Sequence, residues 1–235
     1  DLARFNAERG EYGQVDVERF VQGLTEKALH PEPHRVERVR PNGVVIDLVG
    51  EPLPGGGFIP ISSDVTEQRR AARAIEHLAH HDTLTGLANR YALEARLDQV
   101  VADARRHDRR LAVLFLDMAN LKGINDSLGH GVGDGFLRAI AQRLRAAVRD
   151  SDIVARLGGD EFVVVLTELQ DPQHALTVAD KLITRLNAPV HLAGQELHAS
   201  ASIGICFYPQ DGKDRGSLMQ SADIAMYQAK HLGKG

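Results

Sequence analysis

The stretch Arg156-Leu157-Gly158-Gly159-Asp160-Glu161-Phe162 decides how this chain folds. Apolar runs flank it, Ile153-Val154-Ala155 before and Phe162-Val163-Val164-Val165-Leu166 after. Two strand-like runs joined by Gly-Gly read as a β-hairpin, because glycine accepts the positive φ that a tight turn demands. A plain hairpin does not account for the two carboxylates at its tip. Side by side they repel, so the pair points to a bound metal or phosphate.

Working outward, Leu111–Asp117 is a continuous apolar run, the pattern of a buried strand, and it ends in a carboxylate. Before it, Tyr91 to His107 has helical spacing through Leu93, Leu97, Val100, Val101 and Ala104. After it come helical segments over about 120–128 and 134–149, and then the hairpin over 152–167. A helix over about 172–188, strands near 190–193 and 196–207, and a last helix over 217–231 complete the order. From Leu111 onward this reads β-α-α-β-β-α-β-β-α, an α+β chain with a βαββαβ core and an antiparallel-type sheet carrying helices on one side.

Residues 1–65 form a different block. Val15 to His30 is amphipathic through Val17, Phe20, Val21, Leu24 and Ala28, and Pro31 and Pro33 stop it. Two short strands, Gly43–Val49 and Gly57–Ser62, then form an antiparallel hairpin. The run RPNGVVIDLVGEPLPGGGFIPISSDVTEQ (residues 40–68) resembles the last two strands of a PAS sensor domain with its Asp64-Val65-Thr66-Glu67 exit motif. About half of a PAS fold is implied, as either a sensor or an interaction platform. The helix Glu67–His80, capped by Thr66 or Asp64, reads as a linker over 66–81. His77, His80 and His81 lie at its solvated end, with no pattern of further ligands to make a metal site.

Bulk properties bound the rest. The chain has 235 residues, a net charge of −4 and a single cysteine, Cys206. An acidic chain does not offer a nucleic-acid or membrane surface, and one cysteine excludes an internal disulfide. No apolar run approaches the ~20 residues of a membrane span, and no signal-peptide pattern opens the chain. The expected location is cytoplasmic. Beginning with Asp and ending with Gly, the sequence reads as a fragment.

Several segments supply the hairpin acids with chemistry. If the strands of Asp117 and Asp160 are neighbours, both carboxylates converge on one end of the sheet. A few oxygen ligands with room for water and phosphate suit Mg²⁺. Backbone N–H groups where Met118–Lys122 turns into a helix can hold phosphate, and Lys122, Lys230 and Lys234 add charge. The glycines at 129, 131 and 133 read as a turn across which Asn125 and Asp134 face each other. A carboxylate can accept from N1–H and the 2-amino group of guanine, whereas adenine would leave polar groups unpaired.

These segments together resemble one family. Asp82-Thr83-Leu84-Thr85-Gly86-Leu87-Ala88-Asn89-Arg90 matches its opening motif. LFLDMANLKGINDSLGHGVGD (residues 114–134) matches its metal-and-guanine segment, and RLGGDEF its signature. Ser202-Ile203-Gly204 and Ala222–Lys230 match its C-terminal motifs. Residues 82–235 are identified as a GGDEF domain, a diguanylate cyclase, with a nucleotidyl-cyclase-like fold: a central, mostly antiparallel sheet flanked by helices.

The resemblance implies that two GTP condense to cyclic di-GMP and two pyrophosphates in a two-fold homodimer. It implies that Asp117, Asp160 and the Met118 carbonyl hold Mg²⁺ (or Mn²⁺). Glu161 becomes a second metal-side carboxylate or a general base. Asn125 and Asp134 read guanine, Lys122, Lys230 and Lys234 hold phosphate, and Gly158 and Gly159 leave room for GTP. Arg149 and Asp152 fit the R-x-x-D spacing of the family's product-inhibition site. One departure stands out: Ala119 replaces the usual second Asp and cannot cap the helix that follows, a loss of about 1 kcal/mol. A second reading follows from it, a non-catalytic binder of GTP or cyclic di-GMP that controls a neighbouring phosphodiesterase domain beyond this chain.

Overall fold

A computed structural model describes residues 2–10, 12, 15–29, 32–54 and 58–232. Packing divides the chain into two units, Asp1–Glu76 and His77–Gly235. In the first, α1 (Leu2–Glu8) and α2 (Val17–Leu29) precede β1 (His34–Val39), β2 (Val45–Pro52) and β3 (Phe58–Asp64). The strands form an antiparallel sheet in that order. β1 is an addition to the expected hairpin. Its apolar residues, Val36 and Val39, are three apart, so it lacks the alternation that marks a strand. Cross-strand ion pairing supports it instead, Arg35 donating to Asp47 at 2.8 Å. α3 (Thr66–His80) begins where Asp64 accepts from the Thr66 N–H at 2.9 Å, and the Thr66 hydroxyl accepts from the Val45 N–H. The Thr66 side chain therefore ties the helix start to β2.

The second unit runs α4 (Arg90–His107), β4 (Arg110–Ala119), α5 (Leu121–Leu128), α6 (His130–Ala147), β5 (Ile153–Gly158), β6 (Glu161–Leu169) and α7 (Pro172–Asn187). It continues with β7 (Val190–Leu192), β8 (Gln195–Leu197), β9 (Ser200–Tyr208) and α8 (Arg215–His231). Four strands form one antiparallel sheet in the order β5-β6-β4-β9. The expected single strand over 196–207 is two, because β8 folds back on β7 as a separate hairpin before β9 joins β4.

The expectation of helices on one side of the sheet is corrected here. Along β4, Leu111, Val113 and Phe115 enter a core with Leu93 and Leu97 of α4 and Leu218 of α8. The alternate residues Ala112, Leu114 and Leu116 enter a second core with Phe136 and Ile140 of α6 and Leu182 of α7. A strand buried on both faces is apolar at every position, so its sequence carries no alternation to reveal how many faces are covered. Among the described residues no helix is long and apolar enough to cross a membrane.

The closest packing lies between β9 and α8. A Cβ on Gly204 would stand 2.1 Å from both the Ala222 carbonyl oxygen and the Met226 nitrogen. Only a glycine lets the helix backbone approach this near, and that approach places the far end of α8 beside the end of β4. Gly204→Ala is expected to destabilise the chain by about 3 kcal/mol. Urea unfolding measures this, and an unchanged midpoint would refute the packing argument.

Candidate functional site

Register builds the site. β4 and β6 are neighbours, and Asp117 stands opposite Glu161 across them. The Met118 N–H donates to the Asp160 carbonyl at 3.0 Å, which ties the hairpin tip to the end of β4. Asp117 and Glu161 share the sheet face that α4 and α8 cover, since Phe115 and Val163 precede and follow them on that face. Lys230 reaches in from α8, its Nζ 2.7 Å from Asp117 Oδ1. Asp117 is only 8% exposed, so its charge is largely withdrawn from water and held by one ammonium.

Glu161 feels the imbalance. Burial first, then the nearby carboxylates of Asp160, Asp223 and Asp117, push its carboxyl above the ordinary range, while Arg90 at the start of α4 opposes them. Lys230 is shifted upward as well, chiefly by its bond to Asp117. Four carboxylates around one strand end, with a single bonded lysine, make a concentration of negative charge that favours a cation.

The hairpin is shaped by its glycines and anchored by Arg156. Gly158 has φ 141° and Gly159 φ 53°, and nothing of the chain lies within 4 Å of where a side chain would stand on either. The guanidinium of Arg156 bonds the Gly159 carbonyl at 2.8 Å from one side. From the other it bonds both oxygens of Asp82, at 3.0 and 3.1 Å. Burial works against ionisation of Asp82, but bonds from Thr85 and Arg156 outweigh it and hold the carboxyl below its usual range. The opening turn is fixed in its own right, because the Asn89 amide donates to the Ala79 carbonyl of α3 and its oxygen caps α4 at Ala92 N. His81 belongs to this fold of the chain, stacked on His77 and bonded to the Gly86 carbonyl. Among the described residues no group of three or more His, Cys, Asp or Glu side chains is arranged to hold a metal.

Asn125 and Asp134 form a second group. Asn125 Oδ1 would lie 1.9 Å from a Cβ on Gly133, so the amide rests against the backbone immediately before Asp134. The three-glycine turn is corrected: α6 already begins at His130, and only Gly129, with φ 84°, makes the turn. Gly133 serves instead to admit the Asn125 side chain. The expectation that Ala119 is the capping position is corrected: Ala119 ends β4, Asn120 stands at the start of α5 with φ 76°, and it makes no side-chain cap bond. Lys122 is exposed and bonded to no described residue, and Lys234 lies outside the described residues.

Asp152 is placed differently from Arg149. It is 5% exposed, and its two oxygens accept from the backbone N–H groups of Arg149 and Thr167 at 3.0 and 3.1 Å. Arg149 is exposed. The residues that sequence reasoning left out of the site are Asp82, Arg90, Arg156 and Asp223. A lone arginine just ahead of the glycine pair, in an otherwise apolar strand, was the signal for one of them.

Comparison with known proteins follows the same lines. Residues 79–235 match the family described as "Diguanylate cyclase, GGDEF domain", and residues 1–73 match one described as "PAS fold". The bifunctional diguanylate cyclase/cyclic di-GMP phosphodiesterase MucR of Pseudomonas aeruginosa is 48% identical over 169 residues, covering 72% of this chain and 24% of MucR. Diguanylate cyclase TpbB of the same organism is 46% identical over 163 residues, covering 69% of this chain and 38% of TpbB. The chain thus matches well under half the length of either relative. Among solved structures, the GGDEF domain of TpbB superposes with a TM-score of 0.64 at 47% identity, covering 65% of this chain and 90% of that one. The coiled coil and GGDEF domain of DgcB from Caulobacter crescentus, solved with c-di-GMP, gives 0.65 at 25% identity, covering 72% and 90%.

The upward shift of Glu161 has a pH consequence. A carboxyl raised above its ordinary 4.5 on folding favours the folded state while protonated, and that contribution is lost as pH rises through the folded value. Glu161→Gln should therefore melt higher than the parent at about pH 7 and together with it at about pH 4. Thermal melts without nucleotide or metal measure this; an equal offset at both pH values would contradict it.

Proposed function

This chain belongs to the GGDEF family of diguanylate cyclases, and on that premise we propose that residues 82–235 condense two GTP to cyclic di-GMP and two pyrophosphates. The observation that carries the reading is Asp117 opposed to Glu161 across β4 and β6, bonded to Lys230 and crowded by Asp160 and Asp223. Each domain offers one nucleotide. The 3′-oxygen of one GTP bonds to the α-phosphorus of the other, the bond from that phosphorus to pyrophosphate breaks, and the hydroxyl proton leaves to a base. Both phosphodiesters close only when two domains meet antiparallel, so the working form is a homodimer.

The oxygen-only donor set of Asp117, Asp160 and the Met118 carbonyl, with its excess negative charge, fits a hard divalent ion such as Mg²⁺ or Mn²⁺. When bound, that ion supplies charge neutralisation at the phosphates. The chain's own groups do the rest. Lys230, released from Asp117, and Lys122 offer ammonium groups to phosphate, with Lys234 as a further candidate. Gly158 and Gly159 leave the hairpin tip open to the nucleotide, and Asn125 and Asp134 read the guanine edge. Glu161 is the base for the 3′-hydroxyl, since a raised carboxyl is the better proton acceptor.

Residues 1–65 act as the PAS-type input and 66–81 as the linker that carries its state. Arg149, with Asp152 shaping its segment, belongs to the product-inhibition site. A phosphodiesterase domain outside this chain, as MucR's description states for MucR, is compatible with this arrangement. The uncapped start of α5 favours a second reading, a nucleotide-binding regulator without turnover.

Incubating the chain with GTP and Mg²⁺ should give cyclic di-GMP and pyrophosphate, resolved by chromatography. Asp160→Ala should lower the rate by about 10²-fold or more. GTP binding without product from a folded dimer would support the regulator reading and overturn the cyclase. Separately, Arg149→Ala should weaken inhibition by added cyclic di-GMP, and an unchanged inhibition curve would remove Arg149 from that site.

A further inference from the structure

We propose that Arg90, the first residue of α4, is a further catalytic residue of the condensation, an inference that rests on the cyclase reading above. Its guanidinium binds the α-phosphoryl oxygens of one GTP while the 3′-hydroxyl of the other attacks.

Chain geometry brings Arg90 to the hairpin tip. Ala88 bridges Ala155 of β5 in parallel, and its carbonyl accepts from the Arg156 N–H at 2.9 Å. The chain therefore runs beside β5 in the same direction, toward Gly158, and Arg90 opens α4 two residues later. Asn89 pins this start, its side-chain oxygen accepting from the Ala92 N–H at 3.0 Å. From there α4 packs chiefly on β5, whereas α8 packs on β9 and β4. The facing acids Glu161 and Asp117 thus have a cation on each flank, Arg90 on the side of Glu161 and Lys230 on the side of Asp117.

The two cations are in different states. Lys230 is bonded to Asp117 at 2.7 Å. Arg90 is exposed and makes no hydrogen bond or ion pair with a described residue, although its charge acts on Glu161 against the crowding of Asp160, Asp223 and Asp117. Its place in the helix also runs against local preference. The first turn of a helix carries partial positive charge, which disfavours a cation by ~0.3–1 kcal/mol. α4 has no acidic residue in that turn and opens on an arginine instead. Such local conflicts concentrate where function needs the residue. A guanidinium left without a protein partner beside an acid cluster is free for an anion that arrives with the substrate.

The chemistry of the step selects that anion. The 3′-oxygen bonds to the α-phosphorus, its proton passes to Glu161, and the bond to pyrophosphate breaks. Arg90 stays protonated throughout and supplies N–H donors only. It stands on the flank of Glu161, where the nucleophile arrives, and not on the flank of Lys230. A planar fork can hold two oxygens of one phosphoryl group, which a point charge on a stem cannot. Donors aimed at the reacting group gain most of their strength in the transition state, so the contact acts on rate more than on binding.

The test compares the 235-residue chain with Arg90→Gln and Arg90→Lys. Turnover of GTP with Mg²⁺ gives kcat. Calorimetric titration with 3′-deoxyGTP, which lacks the attacking hydroxyl, gives binding without reaction, and circular dichroism melts report the fold. Arg90→Gln should lower kcat by about 10²-fold. Arg90→Lys should lower it by less, since the charge stays and the fork is lost. Both should keep the parent's affinity for 3′-deoxyGTP, the mark of an interaction made only in the transition state. Where Arg90→Gln does not fold, the kcat of Arg90→Lys decides alone. A rate loss matched by an equal loss of affinity, or unfolding of both variants, makes Arg90 a structural residue and overturns the assignment. Parent-like kcat in the folded variants overturns it too and leaves the cyclase reading standing. A parent chain that binds 3′-deoxyGTP but makes no product from GTP fails the cyclase reading, and the role of Arg90 falls with it.

Discussion

The pairing of β4 with β6 is the constraint on which everything else depends. Side chains alternate across a sheet, so a slip of one residue would send Asp117 to the opposite face and leave Glu161 facing an apolar partner. Two different cores, one on each face of β4, forbid that slip because each demands its own set of residues. Packing energy spread over many apolar side chains thereby fixes the placement of two acidic ones. The site is crowded with like charge, and it is rigid because the cores on both sides oppose its relaxation.

Much of this was legible in the sequence. The hairpin, the buried strand ending in Asp117, the helix periodicities and the C-terminal lysine all carry local signals, and the structure joins Asp117, Glu161 and Lys230 as neighbours. The losses share one cause. β1 has no alternation, β4 is apolar at every position from Leu111 to Leu116, and 196–207 divides at 198–199 because β8 pairs with β7 while β9 pairs with β4. None of these leaves a periodic trace, because the deciding contacts are distant in sequence. The same holds for the site. Arg156 and Asp82 lie 74 positions apart, and their bond could not be read from spacing.

Two buried acids proposed for different sites, Asp117 and Asp152, are held in opposite ways. Asp117 has a side-chain partner, the ammonium of Lys230 on another element. Asp152 is committed to backbone donors on both sides. Similar burial therefore comes with different partners: at 8% exposure Asp117 holds one lysine side chain of another element, and at 5% exposure Asp152 holds two backbone N–H groups.

The threefold hold of Arg156 carries a last consequence, for interchangeability. Its guanidinium spans a carboxylate on one side and a carbonyl on the other, and its own N–H donates to the Ala88 carbonyl. A lysine would bring the same charge to the same depth, but as a single point on a stem, able to serve one side at a time. What this position selects is therefore shape, a planar fork with donors on two edges, and charge conservation alone would not preserve the hairpin's anchorage.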